Sequence, residues 1–168
     1  MPERNGWLIG LVRFACLALL EDETCKLFEL LIERTEDIQV SLLFDVILQE
    51  TRKHRELFSH LSKVFENSAV VDAPECGREM GEFFVNSIAL IHSVKDEVRR
   101  GMPAIEAAKK LISFEEGAGE EYLTEMHANL GSLVEKDMAV KTILDGIAQD
   151  EEGHANLLRL VIQISSER

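Results

Sequence analysis

The segment Gln49-Glu50-Thr51-Arg52-Lys53-His54-Arg55-Glu56-Leu57 returns 100 residues later as Gln149-Asp150-Glu151-Glu152-Gly153-His154-Ala155-Asn156-Leu157. Glutamine, an acidic residue, histidine and leucine align without a gap. Ile47 matches Ile147, and Phe58 corresponds to Leu158. A second correspondence runs at an offset of 94, pairing Glu21 with Glu115, Asp22 with Glu116 and Phe28 with Tyr122. In each half a glutamate precedes the histidine by a similar stretch, 33 residues from Glu21 to His54 and 39 from Glu115 to His154. Two matches in the same order restrict the chain to architectures built from two related halves.

The apolar spacing says what those halves are. Leu17, Leu20, Thr24, Leu27, Phe28 and Leu31 recur at steps of three and four, which predicts an amphipathic helix over about 6–34. A second helix is expected over about 38–65, with Leu43, Val46, Ile47, His54, Leu57, Phe58 and Leu61 inward. Thr35 or Asp37 is placed to cap it, and so short a link implies an antiparallel hairpin. Residues 67–77, with Ala73-Pro74 inside, break the pattern and are expected to hold no long helix. A crossover helix follows over about 78–99, striped by Phe84, Ile88, Ile91 and Val98. Gly101 suits the position just past its end, and Pro103 the first turn of the next helix. The second hairpin pairs a helix over about 103–129 with one running to about 164, opened by a Ser132/Glu135 capping box. The expectation is a single all-α domain over 1–168: two hairpins joined by a long crossover containing an additional helix.

Composition agrees and narrows the partners. Proline is rare, at three residues, and aromatic content is 6%, which suits helices better than many short strands. A net charge of -13 repels phosphate backbones and anionic lipid, so neither nucleic acid nor a membrane is expected as a partner. The apolar run 7–20 is too short to span a bilayer and is followed at once by Glu21, Asp22 and Glu23. It carries no cleavage pattern, which makes the cytoplasm the default. Its apolar girth points to a subunit contact, and a homodimer is expected. Cys16, Cys25 and Cys76 form no CxxC pair. They read as buried or free thiols of a reducing compartment rather than as a zinc or rubredoxin-type site.

Glu151 and His154, three residues apart, share a helical face, and carboxylate with imidazole suits divalent iron or manganese. The apolar neighbours Ile147, Leu157, Leu158 and Val161 turn that face toward the core. Glu21 and Glu115 each end an apolar run, close to the inward stripe of its helix. An ionised carboxylate among apolar residues needs compensation. An ion supplies it, and a polar core of Glu–His pairs is the competing reading. Glu50 and Asp150 are placed to orient imidazoles from outside such a site.

From about residue 17 to 160 the chain resembles the ferritin-like superfamily, especially rubrerythrin-like proteins. Their pattern sets one Glu on each of two helices and Glu-x-x-His on each of the other two. The resemblance implies that Glu21 and Glu115 are terminal ligands, Glu151 a bridge, and His54 and His154 caps at opposite ends of a two-iron pair. Manganese is also compatible. One position departs: three residues before His54 stands Thr51, not glutamate. Glu50 lies one residue earlier, about 100 degrees around the helix. A rotated helix or a π-bulge would be needed to bring it in as the second bridge. The resemblance further implies peroxidase or ferroxidase chemistry on peroxide, oxygen or ferrous iron. Tyr122, the only tyrosine, would be a hydrogen-bond or electron donor near the iron. No rubredoxin module is present, so electrons would come from an external donor. The alternative expectation is a non-catalytic member that binds metal, senses it or engages a partner.

Overall fold

A computed structural model describes residues 12–67, 69–129 and 137–167, without the side chains of 118–129. The described residues form six helices and no strand: α1 (Arg13–Arg34), α2 (Ile38–Phe65), α3 (Ala73–Met80), α4 (Glu82–Arg99), α5 (Ala104–Asn129) and α6 (Met138–Ser166). The all-helical expectation holds. α1 packs along α2, α5 packs along α6, and the hairpins meet through α2 and α6, with α4 lying against α1.

The seam between the hairpins follows from residue spacing. On α2 the buried set includes Val40, Phe44, Ile47, Thr51, His54, Phe58 and Leu61. On α6 it includes Val140, Leu144, Ile147, Glu151, His154, Leu158 and Val161. The steps alternate between four and three, the 3.5-residue repeat that keeps one stripe facing a partner helix. Val46 was expected on this stripe, but is 45% exposed. The alternating step runs through Phe44 and Ile47, and Leu48 is buried beside them. Both helices open on the same device. The Asp37 carboxylate accepts from the Gln39 and Val40 amides, and Asp137 from Ala139 and Val140. Of the two residues proposed to cap α2, Asp37 does so, while the Thr35 hydroxyl donates to the Leu31 carbonyl. α6 is capped by Asp137, and the expected Ser132/Glu135 capping box lies outside the described residues.

The crossover departs most from expectation. Within the segment expected to hold no long helix, Asp72 caps the Glu75 amide and Pro74 occupies the first turn, so a short helix of eight residues, α3, begins at Ala73. Gly81, at φ 74° and ψ -156°, breaks the chain between α3 and α4 in a conformation that favours glycine. The crossover helix therefore starts at Glu82, not near residue 78. It ends as expected: the Met102 amide reaches the Glu97 carbonyl and Gly101 reaches Val98, a Schellman closure with glycine at positive φ.

Running back along the first hairpin, the crossover brings α3 against the start of α1, where Cys16 and Cys76 form a disulfide. The free-thiol expectation fails for these two and holds for buried Cys25. The ground for a reducing compartment goes with it. Glu66, just past α2, accepts from the Phe14 and Ala15 amides at 2.8 and 3.0 Å and so caps α1 from across the hairpin. Burial pushes its carboxyl up despite those bonds. α1 begins at Arg13, not near residue 6, and residues 1–11 lie outside the described set. Phe14, Ala15, Cys16, Leu17 and Leu20 are buried within this chain, so that part of the apolar run serves its own core. Among the described residues no helix is long and apolar enough to cross a membrane.

Candidate metal centre

Midway along the seam the apolar pattern is interrupted on both sides at the same level. Thr51 and His54 from α2 meet Glu151 and His154 from α6, while α1 brings in Glu21 and α5 Glu115. None of the six is more than 4% exposed, and both histidines are at 1% or below. Charge is thus concentrated where Ile47, Phe58, Ile147 and Leu158 exclude water.

The ligand atoms fall into two groups, Glu21–His54–Glu151 and Glu115–Glu151–His154, each with its atoms within 4.8 Å of one another. Glu151 belongs to both. Its Oε1 lies 3.1 Å from His54 Nδ1, and its Oε2 lies 3.4 Å from His154 Nδ1, which is also 3.4 Å from Glu115 Oε2. Despite this proximity neither Nδ1 makes a hydrogen bond, and neither does Glu115 Oε1. Buried polar atoms are rarely left so. Three of them around one space are what a cation would satisfy, and the donor set of carboxylate oxygen and imidazole nitrogen fits a divalent transition metal. These buried Glu/His groups can hold a metal ion.

The other edge of each ring is taken. Asp150 Oδ2 lies 3.0 Å from His54 Nε2, and Glu50 Oε2 lies 2.9 Å from His154 Nε2. The pairing is crossed: the acid four residues before each histidine serves the histidine of the opposite helix. It also shows that α2 and α6 run antiparallel, since residue 54 meets 150 and residue 50 meets 154. With Nε2 held by a carboxylate, Nδ1 is the nitrogen left to face an ion. The acids were legible from the repeat as orienting groups. Their exchange between helices was not, because it depends on the antiparallel register.

Glu50 therefore stands outside the cluster. Its carboxylate lies on the far edge of His154, its side chain is 38% exposed, and it joins neither group of ligand atoms. α2 makes no bulge or rotation that would bring it in as a bridge. Thr51 holds the inward position, 1% exposed, with its hydroxyl donated to the Ile47 carbonyl at 2.9 Å. Tyr122 falls on α5, and its side chain lies outside the described residues.

Electrostatics bind the cluster together. Burial pushes Glu115 well above the usual carboxylate range, and the charge of Glu151 adds to it. Burial also opposes the charge on Glu151, but His154 and His54 outweigh it and hold that carboxyl far below its ordinary value. For the histidines burial works against the imidazolium. Glu115 and Glu151 overcome it at His154, raised to about 11, and Glu151 with Glu21 does so at His54, also raised. Metal binding would displace protons from these raised groups. Two clefts, about 250 Å³ between α4 and α5 and about 140 Å³ beside the start of α3, are lined by other described residues.

No protein-family model, curated protein or solved structure matches this chain.

Proposed function

We propose that this chain is a ferritin-like, rubrerythrin-like redox protein that holds two iron ions between its hairpins, reducing peroxide or oxygen or oxidising ferrous iron. The observation that carries this reading is the pair of buried ligand groups sharing Glu151, each with an imidazole Nδ1 that has no hydrogen bond. Manganese is compatible with the same donors. Glu21 with His54 would hold one ion, Glu115 with His154 the other, and Glu151 both. When bound, iron supplies the electrons that a peroxide takes up on reduction.

The rest belongs to the chain. Asp150 and Glu50 fix the imidazoles so that Nδ1 points inward. The apolar rungs on either side exclude water and raise the strength of every charge interaction inside. Electrons would come from an external donor. A homodimer is the proposed assembly; the Cys16–Cys76 disulfide suits an oxidising compartment better than the expected cytoplasm.

The test is metal content after purification without chelator, followed by anaerobic ferrous iron titration. Two irons per chain, oxidised by peroxide or oxygen with turnover, are expected. No stoichiometric metal under these conditions would remove the reading. Thr51 favours a second reading, a non-catalytic metal-binding or sensing protein, because the position of the second bridge carries no carboxylate. That reading predicts bound metal without turnover.

A further inference from the structure

The 100-residue repeat that matches α2 to α6 breaks just outside the candidate centre: where α2 carries Lys53, α6 carries Gly153. The crossed register gives this difference a target. Lys53 Nζ lies 2.5 Å from Asp150 Oδ2, the same oxygen that lies 3.0 Å from His54 Nε2. On the other diagonal Glu50 Oε2 lies 2.9 Å from His154 Nε2, and among the described residues no lysine or arginine pairs with Glu50. The cations nearby are matched by other acids. Arg55 reaches Asp22, beside Glu21, and Arg159 reaches Glu116, beside Glu115. Arg52 and Lys26 are held by acids of α1. Lys53 is the cation that falls on one orienting acid and has no counterpart at the other.

The direct donors of the two groups are alike in kind: one histidine, one glutamate of its own and the shared Glu151. A histidine that ligates is neutral, and the acid on its outer edge makes it a stronger donor. At His154 that acid keeps its full charge. At His54 its charge is offset by Lys53.

We infer that Lys53 makes the two ion sites unequal: the Glu115–Glu151–His154 group fills first, and the Glu21–His54–Glu151 group holds its ion more weakly. This rests on the two-ion reading above. Lys53 acts through Asp150 and is a positioning residue, not a ligand. Because its side chain is half-exposed, its effect on affinity should be on the order of fivefold and should shrink in high salt.

Cobalt(II) is a suitable probe. A ligated imidazole whose Nε2–H is hydrogen-bonded to a carboxylate gives a paramagnetically shifted, exchangeable proton line. His54→Gln and His154→Gln assign the two lines. Below one cobalt per chain, their intensity ratio reports the ratio of the site affinities. The parent should favour the His154 line by about fivefold, with both lines present at two cobalt ions per chain. Lys53→Met should bring the ratio near one, and Lys53→Arg should keep the parent ratio. Gly153→Lys sets a cation against Glu50, at a position where an added Cβ meets nothing within 4 Å. It should also bring the ratio near one, and combined with Lys53→Met it should invert it. Position 53 lies on the surface, so Lys53→Met decides the matter even if Gly153→Lys does not fold. Two ions with equal lines, or with the His54 line first, would overturn the inference and leave the two-ion reading standing. A ratio unmoved by Lys53→Met, or moved equally by Lys53→Arg, would overturn it too, because charge would not be the cause. One ion per chain, or none, would remove the two-ion reading and the inference with it.

Discussion

The helices α2 and α6 offer each other the same seam. Val40, Phe44, Ile47, His54, Phe58 and Leu61 on one correspond to Val140, Leu144, Ile147, His154, Leu158 and Val161 on the other. Both start from an aspartate cap, and each lends the other an acid four residues before its own histidine. The hairpins also differ. Thr51 replaces the counterpart of Glu151, and among the described residues only the first hairpin carries a disulfide to the crossover and a glutamate cap from its partner helix. Matching rails therefore place matching ligands, while one changed rung makes a single carboxylate serve both groups. Symmetry of the scaffold does not carry over into symmetry of the ligand set.

The largest expected effect follows from that sharing. Glu151→Ala removes a donor from both groups and should abolish stoichiometric metal binding, measured by metal analysis after dialysis. Glu50→Ala and Asp150→Ala each release one imidazole and should weaken binding by about 10- to 100-fold, by roughly equal factors. A large effect from one and none from the other would break the crossed symmetry.

The structural asymmetry can be tested next. Cys16 and Cys76 are separated by 60 residues. Closing such a loop constrains the unfolded chain, and Cys76→Ala should cost about 4 kcal/mol on the chain-entropy argument, read by chemical denaturation under non-reducing conditions. Without reductant, the unfolded parent should titrate one thiol, Cys25. Glu66→Ala should cost about 1–2 kcal/mol, as loss of a helix cap does, in the same assay.

A pH dependence is expected as well, and its direction separates the metal-free and loaded states. His54 and His154 have folded pKa values above their unfolded ones, so their contribution is fully present below about 6.5 and lost as pH rises toward the folded value, about 11 for His154. The metal-free protein should lose thermal stability from pH 6 to pH 9. Metal affinity should rise over the same interval, because binding displaces those protons. A metal-free midpoint that stays flat or rises, followed by scanning calorimetry, would contradict the raised histidines.

The repeat made most of the candidate centre legible. Glu21, His54, Glu115, Glu151 and His154 were readable because similar spacing in two hairpins sets similar levels in a bundle. The aspartate caps lie in the same repeat, 100 residues apart at Asp37 and Asp137. The short helix α3 was hidden by Pro74, which reads as a breaker until Asp72 is recognised as the cap before it.

Local spacing by itself determined that the chain is helical, that its hairpins are alike, and which acids and imidazoles fall on the inward stripe, because periodicity is a property of neighbouring residues. Only tertiary packing decided that Cys16 meets Cys76, that Glu66 caps α1, that Asp150 and Glu50 exchange histidines, and that Glu50 stays outside while Thr51 faces in. Those pairings join residues far apart in the chain, and they depend on the direction and rotation of whole helices, which the close packing of the seam sets.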